Sequence, residues 1–317
     1  MHFVALLDDR FQKIGRARRR IDIGWRGYRP ITWVPPELSG TELPVYALAH
    51  NTCPNYRDIY LEFVQHISRP YTWERYRGKL IDEVYKRIHR KCVEYVPSHR
   101  VNQFALYEFL LQEQDGILEE IKRENQSELA GLTVVQSASR SLDDELKSII
   151  RFEAEITSAS ISFQVAKVRS GSPRRIFDQY FVFNTDFSLN APHQGFRGDA
   201  TPDFIYRNNV IGDIKSGKWQ DFFYYTIAAY TLAYEEHTNQ NMDYGVIFHV
   251  EKSARRVPLH YRTRIELIDD AKRERFCMAR NRKLEIVQAQ IDPGHPPRRD
   301  MCDCDCSFVS HCWGNPT

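Results

Sequence analysis

Apolar residues fall every three or four positions through the first half of the chain and at every second position through much of the rest. Behind Pro54, a residue suited to the first position of a helix, Tyr56, Ile59, Tyr60 and Phe63 share one helical face. The same spacing predicts helices over residues 74–96, with Leu80, Val84, Tyr85 and Ile88 inward, over 101–124 and near 141–156. From about Ser160 the period changes to two. Residues 161–169 (ISFQVAKVR) and 179–189 (QYFVFNTDFSL) read as strands, and two short β-rich runs, DFIY and VIGDIK, flank an Arg-Asn-Asn turn. An aromatic helix over 219–236, strands over 244–250 and 257–268, and a strongly charged, partly solvent-facing helix over 269–290 complete the pattern. Strands bracketed by helices predict an α/β core with a helical N-terminal region around it. Four segments follow: a basic region (1–52), a helical region (53–155), the core (156–290) and a cysteine-rich tail (291–317) set off by the breaker cluster PGHPP.

The hairpin at residues 201–215, TPDFIYRNNVIGDIK, carries the candidate chemistry. Asp203 lies in its first strand, and Asp213 and Lys215 lie in its second. Side chains alternate across a strand, so Asp213 and Lys215 project from one face while Ile214 points into the core. Two carboxylates and a lysine suit a hard divalent cation and a phosphate. Mg2+ or Mn2+ takes only one or two carboxylates from protein and keeps several waters. A lysine orients water or offsets charge developing on a phosphate. Alone, a D-x-K triplet also fits an ion pair on a solvated face; the upstream Asp203, and Gly217 with the aromatic helix beyond it, favour the site.

With 317 residues, 42% of them hydrophobic, the chain has material for one large domain or a core with appendages. No run of about 18 apolar residues predicts a spanning helix. The opening MHFVALLDDR lacks the pattern of a cleaved signal, so a cytoplasmic location and no membrane partner are expected. A net charge of +2 does not announce a nucleic-acid partner, yet the charge is uneven. Lys13, Arg16, Arg18, Arg19, Arg20, Arg26 and Arg29 crowd one stretch whose single acid is Asp22. With Trp25 and Tyr28 interleaved, that stretch suits stacked bases and phosphates, or else a solvated basic arm.

Of seven cysteines (Cys53, Cys92, Cys277, Cys302, Cys304, Cys306 and Cys312), four fall in the last sixteen residues. An odd count without an export signal argues against a disulfide framework. Their density argues for a metal centre. Iron–sulfur clusters use four thiolates, often distant in sequence, whereas structural zinc favours two spaced pairs, unlike this C-x-C-x-C group and its longer gap. The tail alone offers four thiols, and Cys53 could replace one of them. Cys92 and Cys277 fall within helical patterns and read as ordinary core or surface residues.

A cysteine ahead of the CPNYRDIYL helix, the D…GDIKSGK hairpin, a helix similar to Q-x-x-x-Y and a C-terminal cysteine cluster occur here in that order. The chain in this respect resembles the RecB-like exonucleases of the CRISPR-associated Cas-four family, above all its archaeal Csa-one branch, from about Cys53 to Cys312. The resemblance implies a restriction-endonuclease-like (PD-(D/E)XK) core sheet flanked by helices, with a C-terminal iron–sulfur tail. It implies metal-dependent exonucleolytic cleavage of DNA ends, a 4Fe-4S cluster, and work beside the CRISPR integrase and other adaptation proteins in spacer acquisition. On this likeness Asp203, Asp213 and the Ile214 carbonyl would hold Mg2+ or Mn2+, Lys215 would be the catalytic lysine, and Tyr230 would be the helix tyrosine. Cys53, Cys306 and Cys312 would bind the cluster with either Cys302 or Cys304, because Asp303 stands where a cysteine is usual. Two further departures concern the metal end. Asp82 stands four after Gly78 where the family has histidine, with His89 two turns on, and Thr226 replaces the glutamine. The departures motivate an alternative, a cluster-bearing DNA-binding subunit of the adaptation complex that is catalytically weak or inactive. A third reading has the tail as a zinc module on a restriction-like enzyme.

Overall fold

A computed structural model describes residues 23–98, 103–130, 136–167, 187–206, 210–252, 259–298 and 306–314, together with residues 132, 175, 183–185 and 302. The first half is helical: α1 (Val45–Ala49), α2 (Arg57–Phe63), α3 (Trp73–Ser98), α4 (Gln103–Gln112), α5 (Gln114–Glu124), α6 (Gln126–Ala130) and α7 (Gln136–Lys167). The helix expected over 101–124 is therefore two, parted at Glu113. Pro54 sits in a turn rather than inside a helix; α2 starts at Arg57 after Tyr56, whose backbone is left-handed (φ 61°).

The strand expected at 161–169 is a correction: the described part, through Lys167, is the last stretch of α7. Buried Ile150, Glu153, Ala154, Thr157, Ser158 and Ile161 keep three-to-four spacing across the segment, so one continuous buried stripe, apolar at Ile150, Ala154 and Ile161, faces the helical core. That stripe outweighs the local alternation of ISFQV, which lacks a strand partner.

Strands β1 (Phe183–Asn184), β2 (Phe204–Tyr206) and β3 (Val210–Ser216) lead through α8 (Phe223–Thr238) to β4 (Tyr244–Lys252) and β5 (Leu259–Leu267). They form one five-stranded sheet in chain order. All neighbours are antiparallel except β3 and β4, whose parallel register (Asp213 beside Ile247, Lys215 beside His249) needs a crossover, supplied by α8. Helix α9 (Asp270–Ala289) begins on an Asp269 cap that accepts from the Lys272 amide. The short α10 (Val309–Trp313) closes the described tail.

The two sheet faces have different covers. Tyr244, Val246, Phe248 and Val250 alternate onto the face covered by α3, α4, α5 and α7. Ile205, Ile211 and Ile247 point the other way, onto α8 and α9. Gly245 permits the close approach of α8, since a β-carbon there would stand 1.8 Å from Ile227 Cγ2.

Helix α9 is partly solvent-facing, as expected, with Glu274, Arg275, Arg282 and Glu285 exposed, but its buried face is not purely apolar. Arg273, Arg280 and Lys283 recur on its inner face and are buried. Arg273 donates to Glu235 at 2.6 Å, and Arg26 bridges Glu235 (2.7 Å) and Asp243 (2.5 Å). The Gly27 and Met242 amides also donate to Glu235. Lys283 donates to the carbonyls of Ala47, Leu48 and His50 at the end of α1, and burial pushes its pKa down to about 7. These buried cations pin the N-terminal turns onto α8 and α9. Lys13 and the expected DNA contacts Arg16, Arg18, Arg19 and Arg20 lie outside the described residues.

Candidate active site

The site forms where β3 changes from an antiparallel neighbour on one side to a parallel one on the other. In β3, Ile214 packs toward the helical core while Asp213 and Lys215 face the opposite side. Asp213 is buried, and Lys215 Nζ lies 2.6 Å from its Oδ2. Asp203, just before β2, reaches across the hairpin. Its Oδ2 accepts from the Ile214 amide at 2.5 Å, and it stands within hydrogen-bonding reach of Asp213. The Arg-Asn-Asn turn at residues 207–209 lies outside the described residues.

Helix α3 brings a third carboxylate. At Gly78 the helix presses against β3 closely enough that a β-carbon would stand 2.7 Å from Ser216 Oγ. Asp82, one turn further on, is the result. Burial and then the nearby Asp203 push its carboxyl up to about 7, with Lys86 opposing. Asp203 is likewise raised to about 7, by burial and then by Asp213. Asp213 is raised chiefly by burial, against the pull of Lys215. For Lys215 burial is the largest influence and pushes the pKa down, but Asp213 and Asp203 with Asp82 outweigh it and keep the ammonium charged. On α8, Tyr230 is raised well above its ordinary value by burial and then by Asp213, Asp203 and Asp82, so its hydroxyl keeps its proton. Each group thus feels the others across one small space.

The structure therefore brings together Asp82, Asp203, Asp213, Lys215 and Tyr230. His89 sits seven residues beyond Asp82 on α3, roughly 10 Å along the helix axis, and is not among the groups that perturb the acids. Lys86 escaped sequence reasoning. It pairs with Asp82 Oδ2 at 2.6 Å and also feels Asp203. Its signal was available, since i and i+4 share a helix face. Among the described residues no three His, Cys, Asp or Glu side chains form a ready metal cage. One buried carboxylate oxygen, Asp82 Oδ1, nevertheless has no hydrogen-bond partner, and Asp213 Oδ2 has the Lys215 ammonium as its neighbour. All the donors are hard oxygens, which fits Mg2+ or Mn2+ completing its shell with water.

The cysteines gather at another corner. Cys53 is buried in the turn before α2, while Cys302, Cys306 and Cys312 are part-exposed, and all four are free thiols. Burial pushes Cys306 up to about 11, with Cys53 and Cys302 among the lesser influences. Cys312 neighbours Arg57, which holds Asp292 at 2.9 Å. Cys304 lies outside the described residues, while Cys92 and Cys277 are buried core residues. Thiolates are the ligands an iron–sulfur cluster takes, and the residue types fit in that respect, although among the described residues no three of them form a ready site.

Fold and site together define an α/β protein with a mixed sheet between helical layers and an acidic, lysine-bearing centre on its parallel strand pair. A family model described as CRISPR-associated exonuclease Csa1 matches residues 4–315, and the chain belongs to that family. A protein of Saccharolobus solfataricus described as CRISPR-associated exonuclease Csa1 is 25% identical over 137 residues, 43% of this chain and 45% of that protein. The alignment thus spans less than half the length of this curated relative. No solved structure matches. No helix among the described residues is long and apolar enough to cross a membrane.

Proposed function

We propose that this chain is a divalent-metal-dependent DNA exonuclease with a restriction-endonuclease-like core and a 4Fe-4S cluster, trimming DNA ends for CRISPR adaptation beside the integrase. The observation that carries the reading is the mutual perturbation of Asp82, Asp203 and Asp213 around one charged lysine. Mg2+ or Mn2+, when bound, supplies a nucleophilic water at neutral pH and steadies the departing oxygen. Asp203 and Asp213, with Asp82, would hold it, and would have to be deprotonated to do so.

Lys215 stands over the Phe223 ring (5.7 Å) beside Asp213, where it orients a water or meets the charge that builds on the phosphate. Protonated Tyr230 can donate a hydrogen bond into the same space. Lys86 holds Asp82 and limits its mutual repulsion with Asp203. At the other corner, Cys53, Cys306, Cys312 and Cys302 or Cys304 would hold the cluster, which would tie the tail to the turn before α2.

The test is cleavage of end-labelled DNA with Mn2+ by protein purified without air. Asp213→Ala and Lys215→Ala are each expected to lower the rate at least about a thousandfold, with absorbance near 400 nm kept. Cys53→Ser is expected to lose that absorbance. Undiminished cleavage by Asp213→Ala sinks the nuclease assignment, and a colourless wild-type protein that retains zinc sinks the cluster. The Thr226 and Asp82 departures support the second reading, a cluster-bearing DNA-binding subunit, which predicts metal-independent binding and no product.

A further inference from the structure

A second concavity, of about 330 Å3, is lined by Tyr46, His50, Arg69, Thr72, Arg75 and Ser307. Two routes of contact connect it to the acidic site. On one side His50 meets Phe222 edge-on (5.1 Å), Phe222 meets Phe223 (5.7 Å), and Phe223 lies under Lys215 (5.7 Å). On the other, Arg75 and Asp82 are seven apart in α3, which puts them on nearly the same helix face and roughly 10 Å apart along its axis.

The charges of the concavity are not equivalent. Arg69 is held by Glu62 (3.0 Å) and Asp58 (3.5 Å) and lies over Phe308. Arg75 has no carboxylate within ion-pair distance among the described residues, though it lowers the pKa of Glu128 from further off; its guanidinium lies over the rings of Tyr46 (6.0 Å) and Tyr71 (5.4 Å). The Tyr46 ring is 46% exposed, and its hydroxyl donates to Glu62 at 2.9 Å, which fixes its plane. An oriented, open aromatic face beside an unpaired guanidinium matches a nucleobase with its phosphate.

We propose that this concavity is a subsite for a single DNA strand, with one base stacked on Tyr46 and a phosphate held by Arg75, a few nucleotides from the bond cut at Asp213. The spacing rests on the nuclease reading; the binding does not. Roughly 10 Å is about three stacked nucleotide steps at ~3.4 Å, or fewer for an extended strand. Its volume is at the small end for ligand sites, room for one nucleotide rather than a helix. A duplex keeps its base faces stacked internally and offers none to Tyr46.

The experiment is fluorescence anisotropy of a 5′-labelled twelve-residue oligothymidylate with the full chain in EDTA, repeated over a KCl series. Tyr46→Ala and Arg75→Ala are each expected to weaken binding about 5- to 100-fold. Arg75→Ala should also lower the slope of log affinity against log salt by about 0.7. Tyr46→Phe and Arg75→Lys, which keep ring and charge, should bind within a few-fold of wild type, and matched thermal melts show that the alanine variants are folded. Affinities within twofold of wild type for both alanine variants overturn the subsite, as do equal losses on a blunt duplex. Losses of the expected size in a wild-type background that never cuts DNA keep the subsite and remove the nuclease reading. Cleavage abolished by Asp213→Ala alongside unchanged anisotropy does the reverse.

Discussion

Replacing Asp82 with asparagine tests the acidic site without any substrate. The folded chain holds the Asp82 carboxyl near 7, whereas the reference value is 3.8. Between those values the folded state keeps a proton that the unfolded state has released. Stability of the metal-free protein therefore falls as pH rises from about 4 to about 7, and the loss is complete above that range. A shift of about three units corresponds to a ceiling of about 4 kcal/mol. The side chain is 20% exposed and faces Lys86, so solvent relaxation lowers the expected figure to about 2–4 kcal/mol. Asparagine has nearly the same shape and no charge. At pH 8 in EDTA, Asp82→Asn should melt roughly 4–8 °C above wild type, using about 2 °C per kcal/mol for a chain of this size.

The assay is a thermal melt of both proteins at pH 5, 6, 7 and 8, each with EDTA and with Mn2+. The two curves should nearly meet at pH 5 and separate by pH 8. Asp203 and Asp213 remain in the variant, so it keeps part of the slope. Mn2+ should close the gap from the wild-type side, because the cation takes the place of the missing protons and stabilises the state that binds it. Parallel melting curves from pH 5 to 8 would refute the claim that Asp82 shares a space with Asp203. Equal stabilisation of both proteins by Mn2+ would remove Asp82 from the ligand set.

Two further outcomes concern the frame that positions the site. Arg273→Ala leaves Glu235 buried with Arg26 as its remaining cation, and chemical denaturation should show a loss of about 3–5 kcal/mol; a loss below 1 kcal/mol would refute the network's role. Gly245→Ala forces a β-carbon against Ile227 and should cost about 1–3 kcal/mol, of which Ile227→Ala in the same chain should return a measurable part by non-additivity; strict additivity would show that α8 does not rest on β4 there.

What could be read from the sequence, and what could not, divides along the range of the interactions involved. Asp213, Lys215 and Ile214 were legible because the two-residue alternation of a strand is local, and the structure puts them on the faces that alternation requires. The aromatic helix after Gly217 and the strands at 244–250 and 257–268 were legible for the same reason. The run at 161–167 misled because its own alternation is strand-like, while the stripe that makes it helical is visible only from Ile150 onward. Helix α9 was legible as partly solvent-facing, but which of its cations are buried was not: Arg273 turns inward because Glu235 waits there, 38 residues earlier in the chain. No window of the sequence contains that pairing. Asp82 belongs to the same class: resemblance pointed to it, yet its chemistry depends on how closely Gly78 lets α3 approach Ser216. That approach also decides where Arg75 stands, since α3 is one rigid rod carrying the acid at one turn and the unpaired guanidinium two turns earlier. Alanine at position 78 needs only the Ser216 hydroxyl to turn aside, whereas a side chain too large for that rotation would push both groups away from β3 together. Such a bulkier residue should weaken metal response and DNA affinity in the same variant, and alanine should leave both nearly unchanged.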